Sequence, residues 1–234
     1  MSTAAQPVRI DLEITSDTIC PFCTLGYRRI REAASKVQSD PSLPPTTFNF
    51  RFKPFQLDPT LPLSPGENKR ERYERRFGGK EKVDAMISAM QERGKGVNPP
   101  IQFSYGGNVM NTKDSHRVLE KAWEKGGEEL QLKVVEKLFT LYFEREADIG
   151  SFDVLSFAGV ETGLFTSVEE GKAFLASDEL KDEVEKGFRE AQMKGISGVP
   201  FTIINQQFGV SGAQETETFV EVFKKLAKGE LKAE

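Results

Sequence analysis

Cys20 and Cys23 are the only cysteines in the chain, and they sit three residues apart in Cys20-Pro21-Phe22-Cys23. A pair at this spacing can pass between dithiol and disulfide, so the chemistry it points to is thiol–disulfide exchange. Cys20 falls at the expected N-terminus of a helix, where unsatisfied N–H groups and the macrodipole favour an anion such as a thiolate. Pro21 suits the first helical position because it has no N–H to lose. Cys20 is therefore the expected nucleophile, and Cys23, nearly a turn later and more shielded, the resolving thiol. A closed zinc site competes for the same residues but needs about four ligands, and the chain offers two cysteines and one histidine. Two inert buried cysteines are the other alternative.

Three residues are candidates for proton transfer. Glu13 and Asp17 lie just upstream, where a partly buried carboxylate could take the Cys23 proton. A solvated strand face for Glu13 and a turn cap for Asp17 are the competing roles. His116 sits on a helix that could bring it toward the pair, against a solvent-facing or structural role.

The flanking pattern says what must position the cysteines. Val8, Ile10, Leu12 and Ile14 alternate with polar residues, the period of a strand, and Leu25, Tyr27, Ile30, Ala33, Ala34 and Val37 recur at helical spacing. Phe48, Phe50 and Phe52 predict a second strand ending at Pro54. From about Asn68 to Gly195 the pattern is mostly helical. It includes a helix carrying Met86, Ile87 and Met90, another carrying His116 that stops at Gly126-Gly127, and a long stripe from Leu130 to Tyr142. Gly106-Gly107 suggests a short loop or hairpin. The run from Lys69 to Arg76 reads as a solvated helix face, and Met86 and Met90 mostly as core with some positions free to line a cleft. Phe201–Ile204 and Phe208–Ser211 predict a terminal hairpin, followed by a helix with Phe219, Val222, Phe223 and Leu226 on one face. The fold class expected is α/β, a mixed sheet with a helical domain inserted in its centre.

These residues and motifs together resemble the DsbA branch of the thioredoxin superfamily, and more closely its FrnE-like group. The resemblance runs through Ser16 to Cys23, Phe55-Gln56-Leu57, Asn111-Thr112 with His116-Arg117, Leu138-Phe139, Gly198-Val199-Pro200-Phe201 and Ser211-Gly212-Ala213-Gln214. It implies a thioredoxin fold over residues 1–65 and 196–234, with 66–195 as the inserted helical domain. It also implies a cis Val199–Pro200 bond beside the pair. Val199 and Pro200, with Pro21 and Phe22, would bind substrate, the Val199 main chain by strand addition. The implied activity is protein disulfide oxidoreductase. DsbA itself resembles Cys-Pro-His-Cys, whereas Phe22 brings no donor or charge to the thiolate, so a less oxidising couple is expected.

Composition bounds the rest. With 38% hydrophobic and 29% charged residues and a net charge of −4, neither nucleic acid nor an anionic membrane is an expected partner. The start of the chain lacks the pattern of a secretory signal, so a cytoplasmic protein is expected. The expected partners are protein, peptide or small-molecule disulfides, as a monomer or homodimer. No metal or organic cofactor is needed, and glutathione could act as reducing co-substrate. Two other functions compete. One is a glutathione-dependent transferase or isomerase resembling the kappa-class transferases and 2-hydroxychromene-2-carboxylate isomerases. The other is a redox-sensing peptide-binding or chaperone module.

Overall fold

Alternation in the first strand is the origin of the sheet. The computed structural model describes residues 6–231, and β1 (Val8–Ser16) turns Ile10, Leu12 and Ile14 into the core. β2 (Thr46–Pro54) runs parallel to it, Val8 opposite Thr46 and Ser16 opposite Pro54. Parallel neighbours need a crossover, which α1 (Pro21–Gln38) supplies. The chain rejoins the sheet at β5 (Phe201–Ile204), antiparallel to β1, and turns back as β6 (Phe208–Ser211), so the strand order is β2-β1-β5-β6. Asn205 and Gln206 both take positive φ in that hairpin, and the Asn205 side chain accepts the Asp11 N–H at 2.8 Å. Helix α8 (Thr216–Ala227) packs on α1 and sets Phe223 against Phe48. This is the α/β thioredoxin-like arrangement that the sequence implied.

Between β2 and β5 lie β3 (Glu67–Asn68), α2 (Lys69–Phe77), α3 (Lys80–Lys95), β4 (Asn108–Val109), α4 (Lys113–Glu144), α5 (Phe152–Thr162), α6 (Val168–Ala176) and α7 (Lys181–Met193). Gly106-Gly107 does not close a local hairpin, because β4 pairs with the distant β3. The helix stop expected at Gly126-Gly127 is a kink. Both residues leave helical φ/ψ, and α4 resumes beyond them. Gln131, just past the kink, is fully buried and covers the outer edge of β2. Its side chain accepts the Phe52 N–H at 2.8 Å and donates to the Phe52 and Leu119 carbonyls. The charged run of α2 is not uniformly solvated either. Lys69 is buried, with its ammonium 3.9 Å from the centre of the Tyr142 ring. Among the described residues no helix is long and apolar enough to cross a membrane.

Candidate active site around the cysteine pair

β1 ends in a turn that delivers Cys20 to the start of α1. The Cys20 N–H donates to the Asp17 carbonyl at 3.1 Å, and the Cys20 carbonyl accepts from Cys23 N–H at 3.0 Å. Cys20 is the N-cap, Pro21 follows it, and the first turn carries no acidic residue to oppose a thiolate. The Cys20 thiol is nearly buried and donates to the Val199 carbonyl at 3.6 Å. The Val199–Pro200 bond is cis, as are Ser64–Pro65 and Asn98–Pro99, which nothing in the sequence signalled. Gly26 lets α1 approach this loop, since a Cβ there would sit 3.1 Å from Pro200 Cγ and 3.3 Å from Ala213 Cβ.

Cys23 lies behind Cys20, 1% exposed. Burial pushes its thiol well above the ordinary cysteine value, and the hydrogen bond and negative charge of Cys20 push it further. The Ser16 side chain and Asp17 backbone offset this in part. A thiol that holds its proton this firmly is a poor first nucleophile and a suitable second one, released only when a mixed disulfide has formed in front of it.

The three proton-transfer candidates separate. Asp17 is fully buried beside the pair; its carboxylate accepts the Leu57 N–H at 2.8 Å and the Ile19 N–H at 3.4 Å. His116 does not face solvent. It is buried against Phe188, with Nε2 2.9 Å from the Phe55 carbonyl and 3.7 Å from Asp17 Oδ1. A carbonyl can only accept, so Nε2 carries the proton and donates it to the Phe55 carbonyl, with Asp17 nearby but beyond hydrogen-bond distance. Glu13 is not brought to the cysteines. It pairs with Lys194 at 2.7 Å in a separate groove with Thr15 and Lys53. Among the described residues no three His, Cys, Asp or Glu side chains converge as metal ligands.

Cys20 opens onto a cleft of about 480 Å³, roofed by α2 and α3. Phe22, Tyr73, Met86, Ile87, Met90 and Tyr105 are among the residues of its apolar wall, as are Leu57, Leu61 and Val199. Phe22 and Met86 are 43% and 47% exposed, the exposure of side chains that border an open site. Burial, and then the negative charges of Cys20 and Asp17, push the Tyr73 hydroxyl up to about 12, so it stays protonated near the sulfur. Sequence reasoning missed Tyr73, Tyr105, Arg72 and Arg93 as lining residues. The one available signal was the Met86–Met90 spacing, read mainly as core.

The profile of the DSBA-like thioredoxin domain family matches residues 11–224. No curated protein matches the chain. Among solved structures, the probable DsbA oxidoreductase SCO1869 from Streptomyces coelicolor is similar at 25% identity, over 96% of this chain and 92% of that one, with a TM-score of 0.82. The cytosolic disulfide reductase DsbM from Pseudomonas aeruginosa, solved with GSH, shares the fold at 16% identity, over 94% and 100% of the two chains, with a TM-score of 0.60. A 2-hydroxychromene-2-carboxylate isomerase does so at 14% identity, over 94% and 97%, with a TM-score of 0.66.

Proposed function

The chain belongs to the DSBA-like thioredoxin domain family, and from that premise we propose that it is a thiol–disulfide oxidoreductase of the FrnE-like kind, working through Cys20 and Cys23. One observation carries the reading. A Cys20 thiol at a helix N-terminus faces a cleft, with the proton-holding Cys23 thiol hydrogen-bonded behind it. The Cys20 thiolate attacks a substrate disulfide, forming a mixed disulfide and releasing one thiolate. Cys23 then gives up its proton and attacks the Cys20 sulfur. The substrate's second thiolate leaves, and the Cys20–Cys23 disulfide holds the oxidising equivalents.

The Val199 N–H has no protein acceptor among the described residues, which leaves it free for an extended substrate backbone. Asp17 is the residue best placed to receive the Cys23 proton, directly or through an intervening water. In a cytoplasmic setting a small thiol such as glutathione would recycle the pair.

Equilibration across glutathione redox buffers, with alkylation and mass measurement, tests the reading. A two-electron transition confined to Cys20 and Cys23 is expected, and Cys23→Ser should accumulate a mixed disulfide on Cys20. A stable glutathione adduct on Cys20 with no intramolecular disulfide would instead support glutathione transfer.

A further inference from the structure

We propose that the cleft beside Cys20 selects small disulfides whose sulfur is carried on an aromatic ring bearing a carboxylate, and that Arg93 reads that carboxylate. The inference rests on the oxidoreductase reading and adds the substrate class.

The first argument is shape and polarity. A cleft of about 480 Å³ falls in the range of roughly 300–1,000 Å³ typical of small-molecule sites. Its walls are aromatic rings and thioether or branched side chains, with Phe22, Tyr73 and Tyr105 among them. Such walls favour a flat apolar carrier over a hydrated aliphatic one.

The second argument is charge. Three arginines and one aspartate line the cleft, although the whole chain has a net charge of −4. Two of the arginines are already engaged. Arg72 pairs with Asp58 and Glu67, and Arg76 pairs with Asp58 at 2.8 Å. Arg93 has no carboxylate partner among the described residues. Its guanidinium instead lies 5.9 Å from the centre of the Phe22 ring, two residues from Cys20. A cation held at that distance from the nucleophile's neighbour can meet an anionic group on the molecule whose sulfur Cys20 attacks. A guanidinium suits a carboxylate in particular, because its fork matches both oxygens.

In the step this implies, the Cys20 thiolate attacks one sulfur of an aryl disulfide. The Cys20–S–S–aryl bond forms, and one aryl thiolate leaves. Cys23 loses its proton toward Asp17, as proposed above, and attacks Cys20, and the second aryl thiolate leaves. The protein has supplied two electrons, and an added dithiol such as dithiothreitol restores the pair.

The test uses the full-length reduced chain in single-turnover reactions with two chromogenic disulfides. One is 5,5′-dithiobis(2-nitrobenzoate), an aryl disulfide with carboxylates, and the other is uncharged 4,4′-dithiodipyridine. Each rate constant is divided by that of 2-mercaptoethanol with the same reagent, to remove intrinsic reactivity. The normalised ratio of carboxylate to neutral reagent should fall about tenfold in Arg93→Gln, fall further in Arg93→Glu and recover only in part in Arg93→Lys, which keeps the charge but not the fork. An unchanged ratio in Arg93→Gln, or a ratio in Arg93→Lys no higher than in Arg93→Gln, overturns the assignment of Arg93. A wild-type ratio at or below one overturns the substrate class. If neither reagent reacts in a Cys20-dependent manner, the oxidoreductase reading itself fails, an outcome distinct from the other two.

Discussion

The helices between β2 and β5 fall into two unlike halves, and only one of them touches the cleft. In the half made of α4 to α7, polar groups are used as interior anchors. Arg117 is fully buried over the Phe174 ring. Its guanidinium donates to the Phe174, Leu175, Ser177 and Glu179 carbonyls and to the Asp114 carboxylate. Three of those carbonyls are at the C-terminal end of α6, where a cation is favoured; the Phe174 carbonyl also accepts from the Ser177 N–H and hydroxyl, whereas those of Leu175 and Ser177 look to Arg117. Close backbone approach does the rest, since a Cβ on Gly171 would meet Ser156 at 2.7 Å.

The other half, α2 and α3, buries only Lys69, Val83, Met90 and Gly94. It is laced by ion pairs at or near the surface, Arg70 and Lys80 with Asp84 and Arg76 with Asp58, and the more covered Arg72 with Asp58. Exposed pairs of this kind contribute at most about 1 kcal/mol each and are screened by salt. The wall of the cleft is thus held by the weaker class of interaction, which is where local mobility is found.

Removing the anchor is the most severe way to break that contrast. Arg117→Met leaves the Leu175, Ser177 and Glu179 carbonyls and Asp114 without the guanidinium, and a loss of about 3–5 kcal/mol in urea unfolding is expected. Arg117→Lys should recover part of it. A loss below about 1 kcal/mol for Arg117→Met would mean that the buried guanidinium is no anchor. Native-state hydrogen exchange sharpens the same contrast without a mutation. Amides of α3 should exchange at least about tenfold faster than those of α4 and α6, and the gap should widen in 1 M salt. Equal protection in the two halves would remove the basis of the comparison.

Periodicity made the sheet legible, because Val8 to Ile14 and Phe48 to Phe52 alternate and the cysteines lie at their junction with α1. The location of Val199 beside Cys20 came from resemblance, not from spacing. The α2–α3 wall was not legible for a physical reason. Met86, Tyr73 and Tyr105 lie on separate elements, and their convergence depends on β3 pairing with β4 across the intervening helices. Buried polar residues were equally opaque. Neither Arg117 nor Gln131 carries a sequence signal for burial, since each is defined by the backbone groups it meets in the fold. His116 likewise gains its meaning only from the Phe55 carbonyl and Asp17.

A smaller effect is expected from Asp58, the acidic member of the cleft wall. Hydrogen bonds from Thr60 and the neighbouring Arg72 hold its carboxyl down at about 2, against the opposing effect of burial. Its folded value lies below the unfolded value of about 3.9. The stabilisation is therefore complete above that pH and is lost as pH falls toward 2. Pepsin, which works in this window, should nick the α2–α3 segment near the exposed Phe77 increasingly between pH 4 and pH 2. Asp58→Asn should show the nicking already at pH 4. A nicking rate that is flat with pH in the wild type would detach Asp58 from the wall's cohesion.

The smallest effect separates two explanations of the contrast. If charge pairs carried the same weight in both halves, breaking one beside α7 would cost as much as breaking one in the wall. If packing makes the difference, the same change beside the packed half should pass almost unnoticed. The Glu13–Lys194 pair, 2.7 Å long and partly exposed just past the end of α7, provides the case. Glu13 also sits in a groove separate from the cysteine cleft, so its charge is expected to have no part in the proposed exchange. Glu13→Gln should cost less than about 0.5 kcal/mol and leave the reduction potential of the cysteine pair where it was. A measurable shift in that potential would return Glu13 to the proton path. A loss above about 1 kcal/mol would mean that β1 and α7 rely on charge as much as the wall does.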